Sequence, residues 1–407
     1  MPTSRRDFLK AAAGVPAVLS LGSVAPAFLQ RAAAADPTPG ADRVLVVVEL
    51  SGGNDGLNTV VPYDNDEYGR NRNTLRMTKR DVIPIGSDLG LHPQMPEMKR
   101  LLDDGRLGIV QGVGYPNPHG GHPESMRVWQ TGRLDAEFCQ TGWLGRAVDV
   151  ISNKDATDHI APCRGAFVGV FPRPLTVNAA GTVVPSVRSI EDWKLRAKAA
   201  PVDVPQDASP LLQEVGRRTQ SAQAHAATVD EVIRSGERRE YPDTPLGANL
   251  RIMAQLIEAN VGVRILNTDA GGGGDIGGYD NHAGQKDNHA ALLRQLSQGV
   301  AAFVDDLNGR GLLDRVVLIT TSEFGRTIQE NGRRGTDHGS AAPMLLAGGR
   351  VRPGLIGEHP SMTETENNGP KHHTDFRRVY AALLDQWLGI DSQVVLGQKF
   401  EPIKVLA

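Results

Sequence analysis

The segment from residue 315 to residue 346 reads RVVLITTSEFGRTIQENGRRGTDHGSAAPMLL and decides the fold class. Residues 316–320 are apolar and β-branched, which predicts a short strand buried on both faces. A polar loop follows, and residues 344–346 form a second apolar run. Strands buried on both faces are typical of parallel sheets covered by helices. The segment therefore predicts an α/β fold with its ligand site beyond the carboxyl ends of the strands.

Acidic and imidazole side chains stand at the ends of these two runs. Glu323 and Arg326 follow the first, while Asp337 and His338 precede the second. Such groups bind metals or act on substrates at sheet edges. The alternative is structural: Glu323 and Arg326 form a local ion pair, and His338 is an ordinary loop histidine.

Composition narrows the class of protein. The chain has 407 residues, enough for one large domain or two ordinary ones. A formal net charge of −3 and an aromatic content of 5% indicate no nucleic-acid partner. The two cysteines, Cys139 and Cys163, do not have the spacing of a metal knuckle, and a single disulfide between them is the one pairing they allow.

Residues 1–35 are predicted to be an export signal rather than part of the fold. Ser4, Arg5, Arg6 and Asp7 begin a twin-arginine motif, and an apolar stretch follows it. Small residues at 33–35 predict cleavage near Asp36. The prediction is therefore a periplasmic or secreted protein that meets the twin-arginine export machinery. No later run approaches the roughly 20 apolar residues of a membrane span, so none is expected after cleavage.

The mature chain, residues 36–407, is expected to open with a strand over residues 44–50 that ends in Ser51-Gly52-Gly53-Asn54-Asp55-Gly56. Glycines allow close approach of a ligand, and Asp55 stands where a hard cation would bind. The alternative for Asp55 is a simple Asn-Asp-Gly turn.

A second buried strand is predicted over residues 107–113, followed by a polar loop. This loop contains His119, His122, Glu124 and Ser125. Ser125 is a candidate nucleophile, or else the N-cap of a helix over residues 126–130.

A third strand, predicted over residues 263–266, leads to a loop with six glycines between residues 271 and 278. Asp280 and His282 follow, two positions apart, so an extended backbone points both to the same side. Asp and His together are a common metal-ligand pair.

The remaining elements complete an alternating α/β order. Residues about 185–245, poor in large apolar side chains, are expected to form a helical insertion. Further strands are predicted at 167–170 and 175–177, and helices at 96–104, at 246–260, from residue 289 onward, and at 375–388, where Gly389 ends the last one.

Four strand ends thus carry acids or histidines: Asp55, Ser125 with His122, Asp280 with His282, and Glu323 with His338. Their convergence predicts metal-assisted chemistry, with one or two divalent ions. Oxygen and nitrogen ligands suit Zn²⁺ or Mn²⁺.

Five segments of the mature chain have distinctive motifs: Leu50-Ser51-Gly52-Gly53-Asn54-Asp55-Gly56-Leu57-Asn58-Thr59, Gly142-Trp143-Leu144-Gly145-Arg146, Ser322-Glu323-Phe324-Gly325-Arg326, Gly335-Thr336-Asp337-His338-Gly339 and Asp375-Phe376-Arg377. Together they resemble the DUF1501 family of exported bacterial proteins. That family is grouped with the alkaline phosphatase-like superfamily of phosphatases, sulfatases and mutases. The resemblance implies a three-layer α/β/α sandwich with a mostly parallel sheet.

The same resemblance implies ligand roles for Asp55, Asp280, His282, Glu323 and His338. The chain departs from the superfamily pattern at Phe324, where a histidine ligand is usual, and at Gly121, where a serine is common. A changed ligand set that uses Asp337 therefore stays open.

The leading functional hypothesis is an exported, metal-dependent hydrolase of phosphate or sulfate esters. Ser125 or water would attack, and Arg326 would neutralise the anionic small-molecule ester. The alternative is a binding or assembly protein of the cell envelope that keeps the fold without the chemistry. A structural envelope protein that binds a partner through its insertion is the third candidate.

Overall fold

The computed structural model describes residues 42–155, 164–189, 213, 239–271 and 278–407. The export signal, its cleavage site, Cys163, most of the predicted insertion and most of the glycine-rich loop lie outside these residues. The division of the chain at the insertion therefore stays a prediction. Cys139 is a free cysteine. Among the described residues, no helix has the length and apolar character that a bilayer span needs.

The strands are short, and most belong to one central sheet. In chain order they are β1 Val44–Glu49, β2 Val60–Val61, β3 Ile83–Pro84, β4 Gly90–Leu91, β5 Leu107–Gly114, β6 Gly165–Val168, β7 Ser186–Val187, β8 Ile265–Asp269, β9 Val316–Thr321, β10 Arg326–Glu330, β11 Thr336–His338, β12 Ala342–Gly348, β13 Gly354–Ile356, β14 Thr365–Glu366, β15 Gly369–Pro370 and β16 Thr374–Asp375.

The helices that cover the sheet fall between these strands. They are α1 Asp66–Asn71, α2 Pro96–Asp103, α3 His122–Thr131, α4 Trp143–Asp155, α5 Pro245–Glu258, α6 Gln285–Gly309, α7 Phe376–Ala382 and α8 Ser392–Leu396, with a π-helical segment at Leu383–Leu388 and 3₁₀ turns at Gly56–Asn58, Leu175–Val177 and Leu313–Arg315.

The central sheet is mostly parallel. Within the described residues it has nine strands in the order β13-β5-β12-β9-β1-β8-β6-β7, with β16 beside β5. Strand β1 lies in the middle and pairs in parallel with β8 and β9, so that Val46 faces Leu266 on one side and Leu318 on the other. Strand β12 alone among the described strands of this sheet runs antiparallel to its neighbours β5 and β9.

Two apolar layers, one on each face of the sheet, hold the fold together. Val44, Val46 and Val48 of β1 pack with α2, α5 and α6. Leu45 and Val47 face the other way and pack with α3, α4, α7 and α8. This alternation is the period-two pattern of a strand covered on both faces. The predicted three-layer α/β/α sandwich is confirmed.

The direction of β12 places its first residues at the functional edge. Because β12 is antiparallel to β9, it begins where β9 ends. His338 at the end of β11 immediately precedes that start. The side chain therefore belongs to the same edge as the carboxyl ends of β1, β8 and β9.

Two local predictions were wrong. Leu175–Val177 forms a 3₁₀ turn rather than a strand, since a run of three residues is too short to show strand periodicity. Ser125 is not an N-cap, because helix α3 begins at His122 and is capped by Gly121, with Pro123 in its first turn.

Candidate metal centre

Three imidazoles converge on the carboxylate of Asp280. The Nε2 atom of His122 lies 3.4 Å from Asp280 Oδ2. The Nε2 atoms of His282 and His338 lie 3.0 and 3.3 Å from Asp280 Oδ1. These last two nitrogens are 2.9 Å from each other. Side chains from three separate parts of the chain therefore lie around one carboxylate.

The second ring nitrogen of each histidine is held by an acceptor. Nδ1 of His122 contacts Glu323 Oε1 at 2.9 Å, and Nδ1 of His282 contacts Asp337 Oδ1 at 2.8 Å. Nδ1 of His338 contacts the carbonyl oxygen of Gly120 at 2.7 Å. Because carboxylates and carbonyls accept hydrogen bonds, each Nδ1 carries the proton and donates it. In the neutral imidazoles, the Nε2 lone pairs then point inward.

This arrangement fits a divalent cation. Two neutral Nε2 atoms 2.9 Å apart bring two lone pairs together, which is unfavourable unless a cation or proton lies between them. In a tetrahedral site with bonds of about 2.0 Å, ligand atoms lie about 3.3 Å apart. The observed separations of 2.9–3.4 Å are close to that value. One ligand atom from each of His122, Asp280 and His338 lies within 4.8 Å of the other two, and His282 is not part of that group.

The sequence brings the four side chains together through short connections at strand ends. Asp280 and His282 follow β8 and α6 begins three residues later, at Gln285. His338 ends β11, and His122 opens α3 after β5. Of the four strand ends whose convergence the sequence predicts, the structure places His122, Asp280, His282 and His338 together. Glu323 and Asp337 contact the histidines rather than Asp280.

Glu323 is buried and fixes both a histidine and a turn. Its carboxylate accepts hydrogen bonds from the backbone N–H of Gly52 at 2.9 and 3.0 Å. Gly52 has φ +113°, and a Cβ there would lie 2.4 Å from the backbone nitrogen of Asp280. Only glycine satisfies both conditions. The first glycine loop thus supports Asp280 through its backbone.

The electrostatics of the centre favour an anionic Asp280. Burial raises the pKa of Asp280, but the hydrogen bond and charge of Arg326 outweigh it, and the net pKa is lowered. The hydrogen bond to Glu323 raises the pKa of His122, whereas burial lowers the pKa of His338. A proton and a divalent cation would compete for the Nε2 atoms, so any cation binding at this centre would depend on pH.

Arg326 acts within the protein rather than toward solvent. Its side chain is 1% exposed and donates to the carbonyl oxygens of Gly53 at 2.8 Å and Thr336 at 3.0 Å. A further donor contacts Asp280 Oδ1 at 2.7 Å. In this structure its charge is therefore directed at Asp280, and a bound ester would not reach it directly.

Asp55 lies outside the cluster. Both its oxygens are bound by the guanidinium of Arg72, one at 3.0 Å, and Gln285 Nε2 also donates to it. Burial raises the pKa of Asp55, but the charge and hydrogen bonds of Arg72 lower it by more, so the net pKa is below its usual value. No described contact joins its carboxylate to Asp280 or to the three histidines.

Ser125 is fully buried in helix α3. Its Oγ donates to the carbonyl oxygen of His119 at 3.0 Å, and the Tyr115 hydroxyl donates to Oγ at 3.3 Å. The structure does not bring this hydroxyl to the cluster, and solvent does not reach it.

Phe324 forms an apolar wall beside the centre. Its ring stacks on the His338 imidazole, with 4.3 Å between centroids, and lies 5.1 Å from that of His122. A Cβ on Gly53 would come within 2.2 Å of this ring, so the chain leaves room for it. The Phe324 ring therefore occupies the place that the resemblance assigns to one histidine ligand.

The predicted metal ligands do not include His122, whose ring lies against Asp280 in the structure. The sequence pairs His122 with Ser125 instead, because a serine near a histidine is a familiar nucleophile pattern. The Gly120-Gly121-His122-Pro123 sequence contained the missing signal, since proline in the first turn marks a helix start.

The carboxylates behind the histidines provide a direct test of the centre. Glu323→Gln and Asp337→Asn keep the size of each side chain but remove its charge. We expect each to weaken Zn²⁺ affinity about 10- to 100-fold, because such partners orient the ring and raise its basicity. Competition with a chromophoric chelator measures the change. The exposed Glu364→Gln serves as control, and equal affinities in all four proteins would contradict the assignment.

Comparisons with known proteins agree with the sequence motifs. The profile of a family described as "Protein of unknown function (DUF1501)" matches residues 98–399. The twin-arginine translocation signal profile matches residues 2–22, so the protein is directed to export and is periplasmic or secreted. A search of curated proteins returns no match.

Solved structures with a similar course of the chain have low identity. The C-terminal periplasmic domain of EptC from Escherichia coli, in complex with zinc, is 11% identical over 77% of this chain and 74% of that one, with a TM-score of 0.39. A protein in the alkaline phosphatase superfamily from Vibrio parahaemolyticus is 12% identical (91% and 76% covered, TM-score 0.39), and the PsFucS1 sulfatase from Pseudoalteromonas sp. is 10% identical (98% and 75%, TM-score 0.37).

Proposed function

The chain belongs to the DUF1501 family, whose profile spans most of its length, and we propose that it is an exported hydrolase of phosphate or sulfate esters that uses one divalent metal ion. The supporting observation is the convergence of the Nε2 atoms of His122, His282 and His338 on Asp280. We infer that His122, Asp280 and His338 supply three ligands, which leaves a position open for water or an ester oxygen, and that His282 lies next to them, 3.0 Å from Asp280 Oδ1. Zn²⁺ or Mn²⁺ suits this set of nitrogen and oxygen donors.

The roles of the surrounding residues follow from their contacts. Glu323 and Asp337 hold their histidines in the tautomer that a metal requires. Arg326 keeps Asp280 anionic. Phe324 keeps water from one side of His338. When bound, a divalent cation at this position polarises an ester oxygen and balances the charge of an anionic substrate.

The centre is accessible to a small molecule. The side chain of Asp280 is 43% exposed and that of His122 is 32% exposed. Since Ser125 is buried and Asp55 is bound by Arg72, the proposal assigns neither of them a part in the reaction. Water is then the attacking group. The proposed mechanism therefore uses one metal ion and an attacking water molecule. The alternative that Asp55 and Ser125 suggest would use two metal ions and a serine nucleophile.

A binding role is the second candidate, and Phe324 favours it. A ring stacked on a ligand histidine leaves one fewer polar group for catalysis and adds an apolar surface for a ligand. A protein of this kind would hold the metal and an envelope partner without turning over an ester.

Metal content of the exported chain tests the proposal. We expect about one equivalent of Zn or Mn by elemental mass spectrometry in the wild type. His338→Ala should reduce the content by more than about tenfold, because it removes one of three ligands and the two that remain hold the ion poorly. His119→Ala is the matched control, since this exposed histidine lies in the same loop as His122.

Activity assays then separate the two candidates. Phosphate and sulfate esters cleaved by the metal-loaded wild type, but not by the His338→Ala variant, would support the hydrolase. Stoichiometric metal without cleavage of either ester class would favour the binding role. Absence of metal from every protein would contradict both.

A further inference from the structure

A small cavity lies behind the proposed metal centre, between two glutamates. It has a volume of about 20 Å³, enough for one water molecule. Its lining includes Glu49, Trp129, Gln130, Ser322 and Glu323. Glu323 is the residue that holds His122, so the cavity connects Glu49 to the site.

Glu49 is a buried carboxyl group with neutral partners. It ends strand β1 and accepts hydrogen bonds from Thr176 Oγ1 at 2.6 Å, Asn267 Nδ2 at 3.0 Å and Gln130 Nε2 at 3.2 Å. No described cation forms an ion pair with it. Burying a carboxylate without a countercharge costs free energy. The protonation of Glu49 therefore depends on its surroundings.

Trp129 supplies an independent sign of a missing partner in this cavity. Trp129 is only 6% exposed, and its Nε1 has no hydrogen-bond partner among the described residues. Buried indole N–H groups nearly always have an acceptor. A water molecule in the cavity would provide one, and it would also donate to the carboxyl groups on either side.

We propose that a bound water joins Glu49 to Glu323, and that Glu49 is a positioning residue whose charge adjusts the metal affinity of His122 through Glu323. This inference rests on the proposed metal centre and adds a regulation to it. Glu49 touches neither the proposed ligands nor a substrate. Its effect passes through the water and the Glu323–His122 hydrogen bond.

The charge of Glu49 changes near neutral pH. Burial raises the pKa of Glu49 to about 7, although the Thr176 hydrogen bond opposes the shift. The titratable groups that face it are Asp269, Glu323 and Tyr380. Above pH 7 the ionised Glu49 adds negative charge behind Glu323. That charge strengthens the hydrogen bond from His122 Nδ1 and attracts the cation.

The expected result is an extra gain in metal affinity as the pH rises through 7. We expect Zn²⁺ affinity of the wild type relative to Glu49→Gln to rise about threefold to tenfold between pH 6 and pH 8.5. Dividing the two affinities cancels the protonation of His282 and His338, which both proteins share, and leaves the effect that Glu49 exerts through His122. Chelator competition on the chain purified after export measures both affinities.

Two further variants make the test specific. Thr176→Val keeps the Glu49 carboxyl but removes a hydrogen bond that lowers its pKa, so the affinity step should move to higher pH. Trp129→Phe keeps the ring stacked on Phe376 but removes the N–H donor, and the step should shrink. If the urea midpoint shows that Glu49→Gln does not fold, the proposal is tested by the pH at which the Zn²⁺ affinity of Thr176→Val changes, compared with that of the wild type.

The outcomes distinguish this inference from the proposed function. A wild type that binds Zn²⁺ with a pH-independent ratio to Glu49→Gln, or an unshifted step in Thr176→Val, would overturn the role of Glu49 and leave the metal centre intact. A wild type that binds no Zn²⁺ at any pH would overturn both.

Discussion

Arg72→Met is expected to lower the free energy of unfolding by about 3–5 kcal/mol, because it leaves the buried Asp55 carboxylate without its countercharge. The Arg72 side chain is fully buried, and that of Asp55 is 2% exposed. Arg72 also donates to Asn58 Oδ1 at 3.0 Å and to the carbonyl oxygens of Thr327 and Ile328 at 2.9 and 3.1 Å. All of these acceptors would lose a partner at once.

The double variant Asp55→Asn, Arg72→Met isolates the charge. With no carboxylate left to desolvate, it should be more stable than Arg72→Met alone, as a urea titration at pH 7 would show. The folded pKa of Asp55 is depressed, so its contribution is present above the unfolded pKa near 3.9 and is lost as the pH falls through the folded pKa. The gap between wild type and Arg72→Met should therefore narrow in acid. A double variant no more stable than the single one would mean that the contacts to the backbone matter and the charge does not.

Gly52→Ala is expected to disturb stability and metal binding together. A residue with a side chain at φ +113° is strained, by about 1–3 kcal/mol. The new Cβ would also lie 2.4 Å from the backbone nitrogen of Asp280 and 2.9 Å from backbone atoms of Tyr279. Since the Asp280 backbone must move, we expect a total loss of about 3 kcal/mol or more and a fall in Zn²⁺ affinity above 100-fold.

Gly86→Ala is the matched control for this substitution. Gly86 is exposed, and a Cβ there would meet nothing within 4 Å. Its stability should change by less than about 0.5 kcal/mol, and its metal affinity should be that of the wild type. Wild-type affinity in Gly52→Ala would show that the glycine loop does not position Asp280.

Buried runs were sufficient to predict three strands of the central sheet. Strands β1 and β9 are continuous and largely β-branched, β5 is buried throughout, and each lies within one residue of its predicted bounds. The strands predicted over residues 167–170 and 263–266 lie at Gly165–Val168 and Ile265–Asp269. The helices over residues 96–104 and 246–260 were also predicted, with α2 and α5 at nearly those bounds. The antiparallel direction of β12 was not predictable, because a buried run has the same pattern in either direction.

Candidate site residues could be predicted where two of them stand close together in the sequence. They could not be predicted where a residue distant in the sequence determines what a side chain contacts. Asp280 and His282 stand two apart, and both reach the cluster. Asp55 has equally suitable sequence surroundings, but Arg72 occupies its carboxylate. Nothing in the spacing of those two residues indicates that the chain folds one onto the other. His122 was similarly hidden, since only the folded chain shows that its ring faces Asp280.

The antiparallel entry of β12 has a consequence for the order of events in the cell. It closes the centre with His338, so the ligands come from residues 122, 280, 282 and 338, and no local peptide contains the set. The cation then has no site until most of the chain has folded. Twin-arginine export carries folded proteins, so the proposed centre is complete before translocation. A metal bound there at that stage would come from the ions available inside the cell.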